Sequence, residues 1–127
     1  LPTPDKTVPI VLNEAARDGQ VVFTINDKVM GEIPPVEIPR GELRVLDVQN
    51  ASEMDHPFHL HGFFFQVLSR DGVAVPPEAL ANKDTIIVKA KSALRLAARF
   101  DEPGTWMYHC HILEHAEHGM MAEIIVK

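Results

Sequence analysis

Ten prolines and seven glycines break this 127-residue chain into short segments, and the segments between them are rich in Val, Ile, Phe and Thr. Proline interrupts helices and glycine weakens them, whereas β-branched and aromatic side chains suit a pleated, half-buried surface. The pattern predicts an all-β chain. Strands are expected at 21–25, 43–49, 64–69, 85–89, 94–100, 105–110 and 122–126. Residues 1–20 add either an N-terminal extension or an edge strand. Seven or eight short strands suggest a single Greek-key sandwich or barrel spanning residues 1–127.

Two segments test that reading. The stretch 92–100, SALRLAARF, has the composition of a helix. Its apolar residues Leu94, Leu96 and Ala98 nevertheless alternate with polar or small ones, which favours a strand. The stretch 71–83, DGVAVPPEALANK, opens on a turn signal and carries two prolines, so a connecting loop is expected. After His111, ILEHAEHG has room for one or two helical turns before Gly119 ends them.

Charge narrows the function classes. The net charge is −6, and the 12 basic residues form no cluster that could neutralise phosphates, so a nucleic-acid partner is excluded. No apolar run approaches the roughly 20 residues of a membrane span, and no basic segment leads into an apolar one, so the chain reads as soluble, without a membrane or signal segment. It begins LPTPDK without an initiator methionine, as a processed chain or a piece of a larger one would. Its one cysteine, Cys110, has no partner for an internal disulfide; it is free or holds a metal.

All seven histidines fall in two windows, HPFHLHG at 56–62 and HCHILEHAEHGMM at 109–121. Alternate side chains of a strand point to opposite faces, so the Cys110 thiol projects one way and His109 and His111 the other. The same alternation unites His59 and His61, with Leu60 facing away, if that segment is extended. His56 is then left for Cys110, with His115 five residues beyond the cysteine and the Met120 thioether five further. A His2Cys set with a weak axial methionine is the blue-copper electron-transfer arrangement, whereas zinc more often takes additional thiolates. The pairs His59/His61 and His109/His111 project away from that site and suit further, imidazole-bound copper.

These two motifs, with the lead-in GTWMY and the strand FQVLSRDG, resemble the C-terminal cupredoxin domain of the multicopper oxidases, the family of laccases and their bacterial relatives. The resemblance covers about residues 20–127. It implies a cupredoxin fold and a type 1 copper held by His56, Cys110, His115 and Met120, the family spacing selecting Met120 over Met121. It implies electron entry at His115, with His115 and Cys110 as the catalytic pair. It also implies that His59 binds the type 2 copper and His61, His109 and His111 the type 3 pair, which is half of a trinuclear cluster. Those four are either occupied or vacant in the lone domain. The other four histidines come from an N-terminal cupredoxin domain that this sequence lacks, or from a second copy of the chain.

The resemblance further implies single-electron oxidation of phenolic or inorganic small-molecule donors and a periplasmic or extracellular location. The chain is then an isolated or engineered single domain. It departs from the bacterial pattern at Ala116, where relatives often carry an acidic residue, which puts proton delivery in doubt. His118 matches no ligand position. Asp55 and Glu114, beside ligands, are candidates to orient imidazole N–H groups. Trp106, Tyr108 and Phe63 to Phe65 are expected to pack as core or interface.

Overall fold

The computed structural model describes residues 6–29, 31–76, 81–110 and 120–127. Among these, all regular structure is strand: β1 (Lys6–Arg17), β2 (Gln20–Ile25), β3 (Val36–Ile38), β4 (Glu42–Asn50), β5 (His56–Leu60), β6 (Gln66–Arg70), β7 (Val73–Ala74), β8 (Thr85–Val88), β9 (Ala93–Phe100), β10 (Gly104–Cys110) and β11 (Met121–Val126). No helix among the described residues is long and apolar enough to cross a membrane. The strands form two sheets, ordered β2-β1-β4-β9-β6-β7 and β3-β11-β10-β5-β8. The β1–β4 and β3–β11 pairs are parallel and the others antiparallel. One apolar core lies between them, with Leu46, Val48, Leu94, Leu96 and Phe100 from the first sheet and Phe58, Leu60, Tyr108 and Ile124 from the second. The expected all-β sandwich is therefore present.

The strand count exceeds the expected seven or eight. The additions are short: β3 has three residues and β7 two, below what propensity can register. The stretch 71–83 is accordingly not all loop. Asp71 and Gly72 both take positive φ (49° and 81°), the geometry of a two-residue hairpin turn that folds β7 back onto β6. Asp18 and Gly19 (50° and 77°) do the same between β1 and β2. Residues 6–17 are also not at an edge: β1 lies between β2 and β4. Its first half pairs with β4 and its second half with β2, so Pro9, which has no N–H to donate, sits where a ladder partner exists on one side only.

The helix-like segment is strand β9, and its burial shows why. Leu94, Leu96, Ala98 and Phe100 are buried while Arg95 and Arg99 are exposed. A period of two places every large apolar side chain inward; a helical period would bring the arginines round to the core. The segment expected at 64–69 begins as β6 at Gln66, because Phe63 and Phe65 turn inward and Phe64 outward at 65% exposure. Residues 111–119, where helical turns were expected, lie outside the described residues.

Candidate metal centre

Strands β5 and β10 are neighbours, with Tyr108 opposite Leu60, His109 opposite His59 and Cys110 opposite Phe58. Side-chain parity then sorts the two histidine windows. On β5, His56, Phe58 and Leu60 point into the core, while Pro57 and His59 are half-buried on the outer face. On β10, Tyr108 and Cys110 point inward and His109 outward. His56 and Cys110 are each 0% exposed, with His56 Nδ1 3.5 Å from Cys110 Sγ. The pairing expected from spacing is thus present as a contact between side chains 54 positions apart.

Met120 is fully buried, and its carbonyl accepts the Cys110 N–H at 3.2 Å. Met121 opens β11 directly opposite His109, which puts its side chain on the outer face. Strand parity therefore separates the two methionines, and the one on the thiol's side is Met120. His115, His111, His118, Glu114 and Ala116 lie outside the described residues.

On the outer face, His59, His61 and His109 converge: one ligand atom from each lies within 4.8 Å of the others. The rings of His59 and His61 are 4.5 Å apart, and His61 Nε2 lies 2.8 Å from His109 Nε2. Backbone carbonyls set two of the tautomers. His109 Nδ1 is 2.7 Å from the Cys110 carbonyl and His59 Nδ1 is 3.0 Å from that of Asp84. A carbonyl only accepts, so both Nδ1 atoms carry the proton and both Nε2 atoms are left as acceptors. The Thr85 hydroxyl also lies 2.8 Å from His59 Nδ1. At the 2.8 Å contact His109 Nε2 therefore accepts and His61 Nε2 donates, so His61 must give up that proton for all three Nε2 atoms to serve one metal.

One expectation about the surroundings changes. The Asp55 carboxylate, a candidate to orient an imidazole, accepts the Ala90 N–H at 2.9 Å instead. The group on His56 Nε2 is the Ser52 hydroxyl, at 2.9 Å, held in turn by Asn50. Sequence reasoning passed over both residues. The signal was Asn50-Ala51-Ser52, a side-chain-capped turn four residues ahead of His56. Trp106 and Tyr108 pack as expected. The Trp106 indole meets Phe63 edge-on at 5.1 Å, and burial pushes the Tyr108 phenol up to about 12.

A two-sheet β sandwich with a buried thiol–imidazole pair on one side of a strand pair and three imidazoles on the other is a cupredoxin-like metal-binding domain. The multicopper oxidase family model matches residues 2–127, and the chain belongs to that family, which makes copper the implied metal. It is 42% identical over 90 residues to the multicopper oxidase mco of Staphylococcus epidermidis, covering 68% of this chain and 20% of that protein. It is 35% identical over 126 residues to a laccase of Haloferax volcanii, covering 95% and 22%. The solved multicopper oxidase of Campylobacter jejuni, described as a metallo-oxidase, superposes with a TM-score of 0.88 at 33% identity, covering 100% of this chain and 31% of that one. The chain thus spans about a fifth of the length of the curated relatives it matches.

Proposed function

We propose that this chain is the substrate-oxidising copper domain of a multicopper oxidase, working by single electrons on small phenolic or inorganic donors. Its type 1 copper would be held by His56, Cys110, His115 and Met120. The observation that carries the proposal is the 3.5 Å approach of His56 Nδ1 to Cys110 Sγ with both residues fully buried. Sulfur at about 2.3 Å and nitrogen at about 2.0 Å from a common ion, near the tetrahedral angle, are separated by about 3.5 Å. The pair therefore fits one first-row metal without rearrangement, and one thiolate with imidazole and thioether sulfur suits copper.

When bound there, copper supplies a one-electron couple and a thiolate charge-transfer colour. The chain's residues supply the rest. Phe58, Leu60 and Tyr108 keep the thiol dry and Met120 offers a buried sulfur on its side. Cys110 must lose its proton and His56 Nδ1 must stay bare for both to act as ligands, so acid opposes metal uptake. His115 is proposed as the fourth donor and the edge where donors dock.

The outer-face imidazoles support a second locus. His59, His61 and His109, with His111, are proposed as half of a trinuclear cluster, to be completed by an N-terminal domain or a second copy of this chain. On this reading the chain by itself exchanges single electrons and reduces oxygen poorly.

Copper titration of the purified chain tests both statements, with thiolate-to-Cu(II) absorption and the paramagnetic signal read against total bound copper. Blue colour should saturate at one copper per chain and be absent from Cys110→Ser. A chain that binds copper without that band refutes the type 1 assignment. Further, colourless copper beyond the first would support the second locus.

A further inference from the structure

Asn50, Ser52 and His56 form a buried chain of hydrogen bonds that ends at the Cys110 sulfur; their exposures are 2%, 3% and 0%. Its proton positions follow from which atoms can donate. Asn50 Nδ2 lies 2.7 Å from the Met54 carbonyl and 2.9 Å from the Val88 carbonyl. Both are acceptors, so the amide nitrogen must face them, and Asn50 Oδ1 faces Ser52. That oxygen accepts the Ser52 N–H at 3.0 Å and stands 2.7 Å from Ser52 Oγ.

The Ser52 hydroxyl has one proton. Its neighbours Asn50 Oδ1 at 2.7 Å and the Met54 carbonyl at 3.0 Å can only accept. Two oxygens 2.7 Å apart need a proton between them and the amide oxygen has none to give, so the Ser52 proton points at Asn50 Oδ1 and none is left for His56. At the 2.9 Å contact the hydroxyl is therefore the acceptor and His56 Nε2 the donor. A neutral imidazole protonated at Nε2 has its lone pair at Nδ1, the atom that faces Cys110.

We infer that Ser52, locked by Asn50, is a positioning residue that fixes the His56 tautomer and ring plane so that the Nδ1 lone pair is aimed at the Cys110 sulfur before any metal arrives. Its consequence for copper rests on the type 1 reading above; the tautomer itself does not. The lock is anchored to the sandwich, since Asn50 ends β4, donates its N–H to the Ser92 carbonyl at 2.8 Å and reaches Val88 on β8 in the opposite sheet. The Phe23 ring meets His56 edge-on at 6.1 Å and limits its swing from the side. A preset ring removes an ordering cost from metal binding and disfavours the Nδ1–H form that cannot bind through this atom.

The experiment has two arms. In the metal-free chain at mildly alkaline pH, long-range proton–nitrogen correlation of the imidazoles should show His56 protonated at Nε2 and bare at Nδ1. Ser52→Ala should lose this single-tautomer pattern and Ser52→Thr keep it. In the second arm, Ser52→Ala should bind Cu(II) roughly tenfold to a hundredfold more weakly, with a displaced charge-transfer band, and Ser52→Thr should restore both. Nδ1–H in the wild-type chain overturns the inference, as does Ser52→Ala copper binding within twofold of wild type with an unchanged band. If the wild-type chain gives no blue complex, the type 1 reading fails and the first arm still decides the tautomer on the unsubstituted protein. It does so equally if Ser52→Ala does not fold.

Discussion

Gly62 closes the HPFHLHG motif, and replacing it with alanine should cost far more than the same change at the other turn glycines. Its φ is +84°, which alanine adopts at a cost of about 1 kcal/mol. A Cβ built there would lie 2.3 Å from Trp106 Cε3 and 2.5 Å from Cζ3, inside the indole itself. The ring is not a free end that can swing aside, because Nε1 donates to the Glu102 carbonyl at 3.1 Å and Phe63 packs on it at 5.1 Å. Overpacking of that kind costs roughly 1–3 kcal/mol, so the expected total is about 2–4 kcal/mol.

Gly72 is the control: its φ is +81°, but nothing lies within 4 Å of the added carbon, so only the strain of about 1 kcal/mol remains. Urea unfolding of the metal-free variants, followed by circular dichroism, gives the two losses. Trp106 is the chain's only tryptophan, so its emission reports any displaced indole. Equal losses at positions 62 and 72, or unchanged emission in Gly62→Ala, would refute the reasoning. A large loss also has a functional side, since Gly62 follows His61 and Trp106 leads to His109 on β10.

Other outcomes follow from the same geometry. On the proposed assignment, His61→Ala should abolish any colourless copper binding at the outer face and leave the proposed type 1 band intact, because His61 is exposed on the face away from Cys110; loss of the band would refute that separation. Leu96→Ala, at a fully buried position of central strand β9, should destabilise by about 2–5 kcal/mol in urea unfolding, and a loss under about 1 kcal/mol would mean the core there is not packed as described. Burial raises the Tyr108 phenol from 10.0 to about 12, so the folded state favours the neutral form. Its contribution is fully present below pH 10 and is lost as pH rises towards 12, by roughly 3 kcal/mol. Phenolate absorbance of this single tyrosine should then rise together with unfolding, and Tyr108→Phe should flatten the decline; titration near 10 in the folded chain would contradict it.

Local order and donor chemistry were legible in the sequence because both are encoded over a few residues. Pro and Gly punctuation and β-branched segments placed most strands, and alternation of Leu94, Leu96 and Ala98 with polar or small neighbours identified β9 against its helical composition. The facing of His109 away from Cys110, and of His59 away from Leu60, follows from strand parity alone.

Tertiary structure decided what depends on contacts between distant segments. The β1 strand became internal because it splits its pairing between β4 and β2, and β3 exists only because β11 offers it a parallel edge. The 3.5 Å meeting of His56 and Cys110 requires the β5–β10 register, and the separation of Met120 from Met121 requires the β10–β11 register. Asp55, adjacent in sequence to His56, went to a backbone amide, while Ser52 reached the imidazole across a turn held by Val88 of the other sheet. A one-dimensional pattern states which atoms can donate or bind; which of them share a point in space is set by hydrogen-bond ladders and packing between residues dozens of positions apart.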